Sequence, residues 1–392
     1  MFRALLLILS SLLTIVWFWI AFKAARAYIW EPRLVESVDC VNEKPKVSVI
    51  IPIRNEEERL SDCLDSLLNQ DYPNLEVILV DDESSDNTPY IAESYRLKDR
   101  RIKVLHSERL PEGWVGKNRA CHRGYEASKG EVLLFMDADT KIKPWVISSA
   151  VNCLLHEKLD ALTLSPRIEC RDLWAKIMQP LINLIFRALL APLTNDQKSR
   201  FGYVNGCFFL ICRQVYEDVG GHKRVKDQIL EDVSFGLLLK SEGFRVRMFR
   251  GEDAALTLWS RDLSTLWSGL VREMTPIIIG HRGWALSLSL GAFAIFLLPF
   301  LLPIIHLYGE PIDFTSPIIL SACSMMVILE GVEAQRGLGI NPIYSVAPPL
   351  ASFILVSATI ASAYRSVWGG GIDWRGRRYR LGSKTSVASV KA

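Results

Sequence analysis

The sequence predicts an α/β domain on a mostly parallel sheet, set between N- and C-terminal membrane-spanning helices. Three observations predict it. Short apolar runs stop abruptly at acidic or polar clusters, after Pro52, Val80 and Met136. Helical patterns separate those runs. Long apolar stretches lie outside this region, at residues 4–22 and 284–307.

The first run, Lys46-Val47-Ser48-Val49-Ile50-Ile51-Pro52, stops at Ile53-Arg54-Asn55-Glu56-Glu57. Residues 57–69 then carry Leu60, Leu64, Leu67 and Leu68 at i, i+4, i+7, i+8 spacing, one face of a helix. The second run, Glu76-Val77-Ile78-Leu79-Val80, enters Asp81-Asp82-Glu83-Ser84-Ser85-Asp86-Asn87-Thr88. Strand, helix, strand is a βαβ unit, whose crossover is right-handed in nearly all cases. Ser85 to Thr88 is N-cap chemistry for a helix from Tyr90. Ile102 to Leu105 is a short third strand, and a helix from about Asn118 to Ser128 leads through Lys129-Gly130 to the fourth.

That fourth run, Leu133-Leu134-Phe135-Met136-Asp137-Ala138-Asp139, is the most informative. Buried parallel strands present ligand-binding groups at their carboxyl ends. Two residues apart on extended chain, Asp137 and Asp139 share one side and can hold one hard divalent cation, which completes its shell with waters and a substrate diphosphate. Alone, D-x-D also describes a solvated acidic turn. Three polar strand ends on one parallel sheet make it a nucleotide crevice.

Composition narrows the class. The chain has 392 residues, 49% of them hydrophobic, with a mean hydropathy of +0.18. That is too apolar for an ordinary soluble enzyme and too polar for a pure transporter, and the length allows one catalytic domain plus membrane segments. A net charge of +3, from 46 basic and 43 acidic residues, gives no sign of nucleic-acid binding. The eight cysteines contain no C-x-x-C pair, so Cys207 and Cys212 read as structural, reduced thiols of a cytosolic domain.

Residues 4–22 are long enough to cross the hydrocarbon core, and the larger basic cluster, Lys23, Arg26 and Arg33, follows them. That asymmetry favours an uncleaved anchor with its N-terminus outside and the domain inside. Residues 284–307 form a second span; 317–331 and 343–363 are weaker, with Glu330, Glu333, Pro348 and Pro349 in or near them. Three C-terminal spans would leave the tail outside, yet Trp374 to Arg380 is strongly basic and belongs inside. One weak segment is therefore expected to be re-entrant or interfacial, the Glu330 segment first. Asp172 to Leu193, apolar but interrupted by Lys176, Pro180 and Arg187, reads as a helix lying in the interface, with a buried core helix as the even alternative.

As a set, these elements resemble the family 2 inverting glycosyltransferases with a GT-A fold. The resemblance rests on residues 47–56, Val80 to Thr88, Gly116-Lys117-Asn118-Arg119-Ala120, Asp137-Ala138-Asp139, Gly206 and Leu230-Glu231-Asp232, in the family's order from about residue 46 to 250. The membrane layout is similar to that of members that glycosylate lipids: hopanoid-associated and carotenoid-acid glycosyltransferases and ceramide glucosyltransferase. The resemblance implies a Rossmann-like GT-A domain in two halves, 46–170 for the nucleotide sugar and 197–280 for acceptor and catalysis. An anchor at 1–30, an interfacial helix at 171–196, a transmembrane region at 284–364 and a basic cytoplasmic tail at 365–392 complete the expected layout.

The resemblance also implies roles. Asp82 would meet the uracil N3–H, with Asp81 orienting its loop, Pro52 and Arg54 lining the base pocket and Glu56 among the nucleotide-binding residues. Asp139 would hold a divalent metal, Mn2+ or Mg2+, with Asp137 near the ribose or the metal's waters. Lys117, at a helix start, suits a diphosphate; otherwise it is an exposed lysine. Asp232 matches the general base, which takes the acceptor hydroxyl's proton. Glu231 could simply complement the helix dipole. Gly206 would let backbone approach the donor sugar. His222 neighbours the acceptor loop, though a surface histidine is the plainer expectation.

Arg272 could meet the diphosphate. The family's processive members carry Q/R-x-x-R-W, but here Glu273 follows the arginine where tryptophan is expected. The expected function is transfer of one hexose from a UDP-sugar, UDP-glucose first, to an isoprenoid, carotenoid, hopanoid or sphingolipid-like acceptor at the cell membrane. Polysaccharide synthesis is the alternative. Sugar nucleotidyltransfer is disfavoured because no glycine-rich loop follows the first strand.

Overall fold

The computed structural model describes residues 2–37, 44–107, 109–279, 282–309, 313, 315–369 and 371–380. The distal tail, 381–392, lies outside the described residues. The chain divides into two compact units. One comprises Glu31–Arg167, Leu193–Leu258 and the stretch from Asp373; the other comprises Met1–Trp30, Ile168–Pro192 and Trp259–Ile372.

The first unit holds an eight-stranded sheet: β1 (Val47–Ile53), β2 (Leu75–Asp81), β3 (Ile102–His106), β4 (Val132–Phe135), β5 (Lys141–Ile142), β6 (Ala161–Ile168), β7 (Phe209–Cys212) and β8 (Val246–Thr257). Its order is β3-β2-β1-β4-β7-β6-β8-β5. The expected parallel sheet is present in β3-β2-β1-β4. From there β7 adds antiparallel to β4, and β6 antiparallel to β7.

Buried, mostly apolar runs make the central strands β1, β2 and β4, as parallel strands covered on both sides require. Every residue of β2 is buried, Leu75 to Asp81. Pro52 is tolerated inside β1 for a geometric reason. Val47 donates towards β2, to the Asn74 carbonyl at 2.9 Å, so by alternation Pro52 faces β4. The β4 ladder ends at Ile50↔Phe135 with a last bond from the Met136 amide to the Ile50 carbonyl, so the proline falls at the end of the pairing rather than within it.

The crossover helices match the sequence periodicity. Leu60–Leu68 buries Leu60, Cys63, Leu64 and Leu67 against the sheet. Thr88–Lys98 starts where Asp86 Oδ1 accepts from the Thr88 amide at 3.0 Å, while Asp86 Oδ2 accepts from the Glu57 amide at 3.2 Å. One aspartate thereby ties the loops after β1 and β2 together.

The second unit is helical. Four helices with most or all of their length in it, and the stretch Leu173–Asn195 that begins in it, are long and apolar enough to cross a membrane: Arg3–Trp30, Ala285–Tyr308, Ser316–Gly337 and Pro348–Trp368 are the four. Leu6, Leu13, Trp17, Met178, Leu181, Met326 and Leu355 share its apolar core. Leu173–Ile185 packs into that core, and its continuation carries Arg187, whose Nε lies 3.0 Å from Glu333 Oε1. Asn183 Nδ2 donates to Glu333 Oε2 at 2.8 Å, so the buried pair has a third partner. Glu330 is fully buried in this unit.

Candidate active site

The strand order reverses between β1 and β4, and ligands of open α/β sheets bind outside the carboxyl ends at such a point. The chain leaving β1 supplies Arg54 and Glu56. That leaving β2 supplies Asp82, and that leaving β4 supplies Asp137 and Asp139.

Asp81 and Asp82 divide their work. The Asp81 carboxylate accepts from the Ser84 amide at 3.2 Å and lies 3.4 Å from His106 Nδ1, so it organises its own loop. Asp82 is buried, its amide donating to the Ile53 carbonyl at 2.9 Å. Its carboxylate pairs with the Arg377 guanidinium and lies 3.7 Å from Arg54 Nη1. Glu56, also buried, donates its amide to Thr88 Oγ1 at 2.7 Å and pairs its carboxylate with Arg375.

Lys117 begins the helix Gly116–Ala127 and is no solvated surface lysine. Its Nζ lies 2.8 Å from Asp137 Oδ1 and 2.8 Å from Glu231 Oε1. Burial alone would favour the neutral amine; Asp137, Glu231 and Asp232 outweigh it and push the pKa well above the usual lysine range. The pairing gives Glu231 a role beyond the helix dipole. Glu231 and Asp232 open the helix Glu231–Ser241, and Asp232 Oδ1 accepts from the Val233 amide at 2.8 Å.

Pro52, Lys117, Asp137, Gly206, Glu231 and Asp232 line one recess, over an apolar floor that includes Phe135, Phe209 and Phe235. Gly206 is glycine for a visible reason. A Cβ there would lie 2.8 Å from Lys117 Nζ and 3.3 Å from Asp137 Oδ2.

Asp139 accepts from Thr257 Oγ1 at 3.1 Å. Burial first, then Asp137 and Glu56, raise its pKa to about 7. Burial likewise pushes the Cys207 thiol up, and Asp137, Asp139 and Asp232 all add to the effect. Among the described residues no three His, Cys, Asp or Glu side chains converge into a metal cage. A cation here would take two carboxylates at most from D-x-D, as magnesium-like ions do when a phosphate supplies the rest. Two carboxylates one residue apart are a donor set that fits such an ion.

His222 departs from the surface position expected of it. It is buried, 4.7 Å from Phe135 and 5.2 Å from Phe235 between ring centroids. Tyr216 Oη accepts from the His222 amide at 3.0 Å and is also hydrogen-bonded to Nδ1 of the same ring, 2.9 Å away. Burial depresses the imidazole pKa to about 3, and His222 stays neutral. Arg272 belongs to the helical unit, where its Nη2 lies 3.6 Å from Glu273 Oε1.

Residues 48–220 match the family model described as glycosyl transferase family 2. The chain carries a family 2 glycosyltransferase domain. A 4,4'-diaponeurosporenoate glycosyltransferase of Staphylococcus aureus is 24% identical over 275 residues, 68% of this chain and 70% of that protein. A GalNAc(5)-diNAcBac-PP-undecaprenol beta-1,3-glucosyltransferase of Campylobacter jejuni is 32% identical over 113 residues, 29% of this chain and 34% of that one. The alignments to the most similar curated relatives span only 28% to 37% of those proteins' own length. Among solved structures, the mannosyltransferase PcManGT of Pyrobaculum calidifontis, in complex with GDP-Man and Mn2+, superposes with a TM-score of 0.55. It is 17% identical and covers 93% of this chain and 99% of its own, a likeness of fold.

The matched stretch of the glycosyltransferase domain contains Asp82, Lys117, Asp137, Asp139 and Gly206; Glu231 and Asp232 follow it. Two residues at the crevice escaped the sequence reading, Arg375 and Arg377. They belong to a hairpin, β9 (Gly371–Trp374) and β10 (Arg377–Arg380), where a basic tail was expected. The local signal was only Gly376 between Ile372, Trp374 and Tyr379, since arginine is not a usual partner for glycine in a two-residue turn.

Proposed function

We propose that this protein transfers a single hexose with inversion from a UDP-sugar, UDP-glucose by expectation, to a lipid acceptor at a membrane. The observation that supports this reading is the recess lined jointly by Asp232 and the Lys117–Asp137 pair, with Asp139 two residues beyond Asp137 on the same turn.

Asp232 takes the proton of the acceptor hydroxyl as that oxygen bonds to the anomeric carbon. The bond from that carbon to the diphosphate oxygen breaks, and UDP leaves with the electron pair. Asp139, with Asp137, would hold a Mn2+ or Mg2+ ion, whose charge offsets the charge growing on the leaving diphosphate. Asp82 would accept the uracil N3–H, with Arg54 and Glu56 beside it. Lys117 keeps Asp137 and Glu231 in place and directs positive charge into the recess. Gly206 leaves the space the sugar needs beside that pair. His222, neutral and buried, shapes the floor and moves no proton.

Membrane placement rests on a parity argument. Residues on both sides of Leu173–Asn195 contribute strands to one sheet, so that helix can only enter and leave on one face of a bilayer, as an interfacial or re-entrant element does. Likewise, the hairpin from Asp373 groups with the sheet, which supports an even number of crossings between Leu258 and Asp373. On this reading two or none of the three C-terminal apolar helices cross. The names of the S. aureus and C. jejuni relatives, one on a carotenoid acid and one on an undecaprenol-linked saccharide, support an apolar acceptor.

The test is to incubate detergent-purified protein with radiolabelled UDP-sugars, or GDP-mannose, and membrane lipid extract. Label from a UDP-sugar in an organic-soluble product is expected. Label only in aqueous high-mass polymer supports polysaccharide synthesis instead. Label only from GDP-mannose would redirect the donor, since guanine also carries an imino donor.

A further inference from the structure

We infer that the C-terminal hairpin is part of the donor site: Arg375 supplies a diphosphate-facing guanidinium and Arg377 positions Asp82 for the base. This rests on the donor-site reading above and extends it to residues far from the matched stretch.

Three loops of the crevice hold the hairpin. After β1, Arg54 Nε donates to the Arg375 carbonyl at 2.9 Å, and Arg375 Nη1 donates back to the Arg54 carbonyl at 2.6 Å. After β2, Arg377 pairs with both Asp82 and Glu83. At the start of the lysine-bearing helix, the Gly116 amide donates to Tyr379 Oη at 3.3 Å. Gly116 itself is shaped to this contact, because a Cβ there would collide with the Arg377 guanidinium and the Asp82 carboxylate. The glycine before Lys117 therefore makes room for a pair formed by residues 82 and 377.

The turn is built rather than incidental. Arg375 and Gly376 have φ of 49° and 76°, the doubly left-handed pair of a two-residue hairpin turn. Arginine is a poor choice for such a position, where Asn, Asp or Gly would sit without strain. Its side chain is what the position uses: the guanidinium reaches Glu56, and its charge acts on Asp139. With 41% of the side chain still exposed and five N–H groups on the fork, Arg375 retains donors for a phosphate. Arg377 contacts Oδ2 of Asp82, and Oδ1 is the oxygen that would accept from the base.

The two roles separate by ligand. Full-length protein in detergent is titrated with uridine and with UDP, comparing Arg375→Asn, Arg377→Gln and, as a control on the exposed face of the hairpin, Arg378→Gln. Asparagine suits the left-handed turn, so Arg375→Asn removes charge without unfolding the hairpin. Expected are a loss of about tenfold or more in UDP affinity for Arg375→Asn with uridine affinity kept, an equal loss for both ligands in Arg377→Gln, and less than a twofold change in Arg378→Gln. Unchanged UDP affinity in both arginine variants would overturn the inference. So would tighter binding, since the hairpin would then be a plug. If wild type binds UDP and Asp82→Ala abolishes it while the arginine variants bind normally, only the hairpin's role falls. If wild type binds no UDP, the donor reading fails first.

Discussion

Lys117 and Glu231 lie 2.8 Å apart, Nζ to Oε1, and this contact joins the helix after the second crossover to the helix that carries Asp232. Lys117 makes the same distance to Asp137, so one ammonium links the D-x-D turn to the proposed base. The geometry of the recess depends on a charge that is itself half-hidden.

Lys117→Met should therefore do two things. It removes the ammonium that Asp137 and Glu231 share, and because Asp137 is 33% exposed the cost falls below the roughly 3–5 kcal/mol of a fully buried pair. Thermal unfolding should show a drop, reduced by adding Glu231→Gln. Turnover should stay low in the double variant, because the positive charge is still missing. Full recovery of turnover would show that Lys117 is only a structural counterion.

Two glycines should respond in opposite ways. At Gly206 an added Cβ meets the flexible end of Lys117, which can shift. Gly206→Ala should keep its melting temperature within a few degrees while losing UDP-sugar turnover. At Gly236 the Cβ would lie 2.6 Å from Gly202 backbone, which cannot move aside. Gly236→Ala should lose stability first, so melting and turnover together distinguish the sites.

Glu76 sets an acid limit on stability. Burial works to raise its pKa, but hydrogen bonds from Ser48, Lys103, the Lys129 amide and Lys46 together lower it from 4.5 to about 2. A folded pKa below the unfolded one means stabilisation present above pH 4.5 and lost as pH falls towards 2. Screened by solvent, the effect is on the order of 1 kcal/mol. Glu76→Gln should melt lower than wild type at pH 7, and the gap should close steadily from pH 5 to pH 3. A constant gap would mean that the loss is one of packing.

The first half of the domain was legible because local chemistry agrees with global structure there: apolar strands, the Leu60–Leu67 helix face and the Asp86 cap all point to one answer. Asp137 and Lys117 were legible as candidates, but their pairing was not, since twenty residues separate them in sequence and only the sheet order brings them together. His222 was misjudged because nothing local reveals that Phe135, Tyr216 and Phe235 close over it. The hairpin was missed for a similar reason. A basic, glycine-containing tail looks solvated until the acids at 56, 82 and 83 are known to face it.

The most direct measurement compares Asp139→Ala with Asp232→Asn in UDP binding with Mn2+ and in single-turnover transfer. The account predicts that Asp139→Ala loses metal-dependent UDP affinity. Asp232→Asn should bind UDP as wild type does and slow transfer roughly 10²-fold or more, the scale of general-base catalysis. Equal loss of UDP affinity in both variants would contradict it.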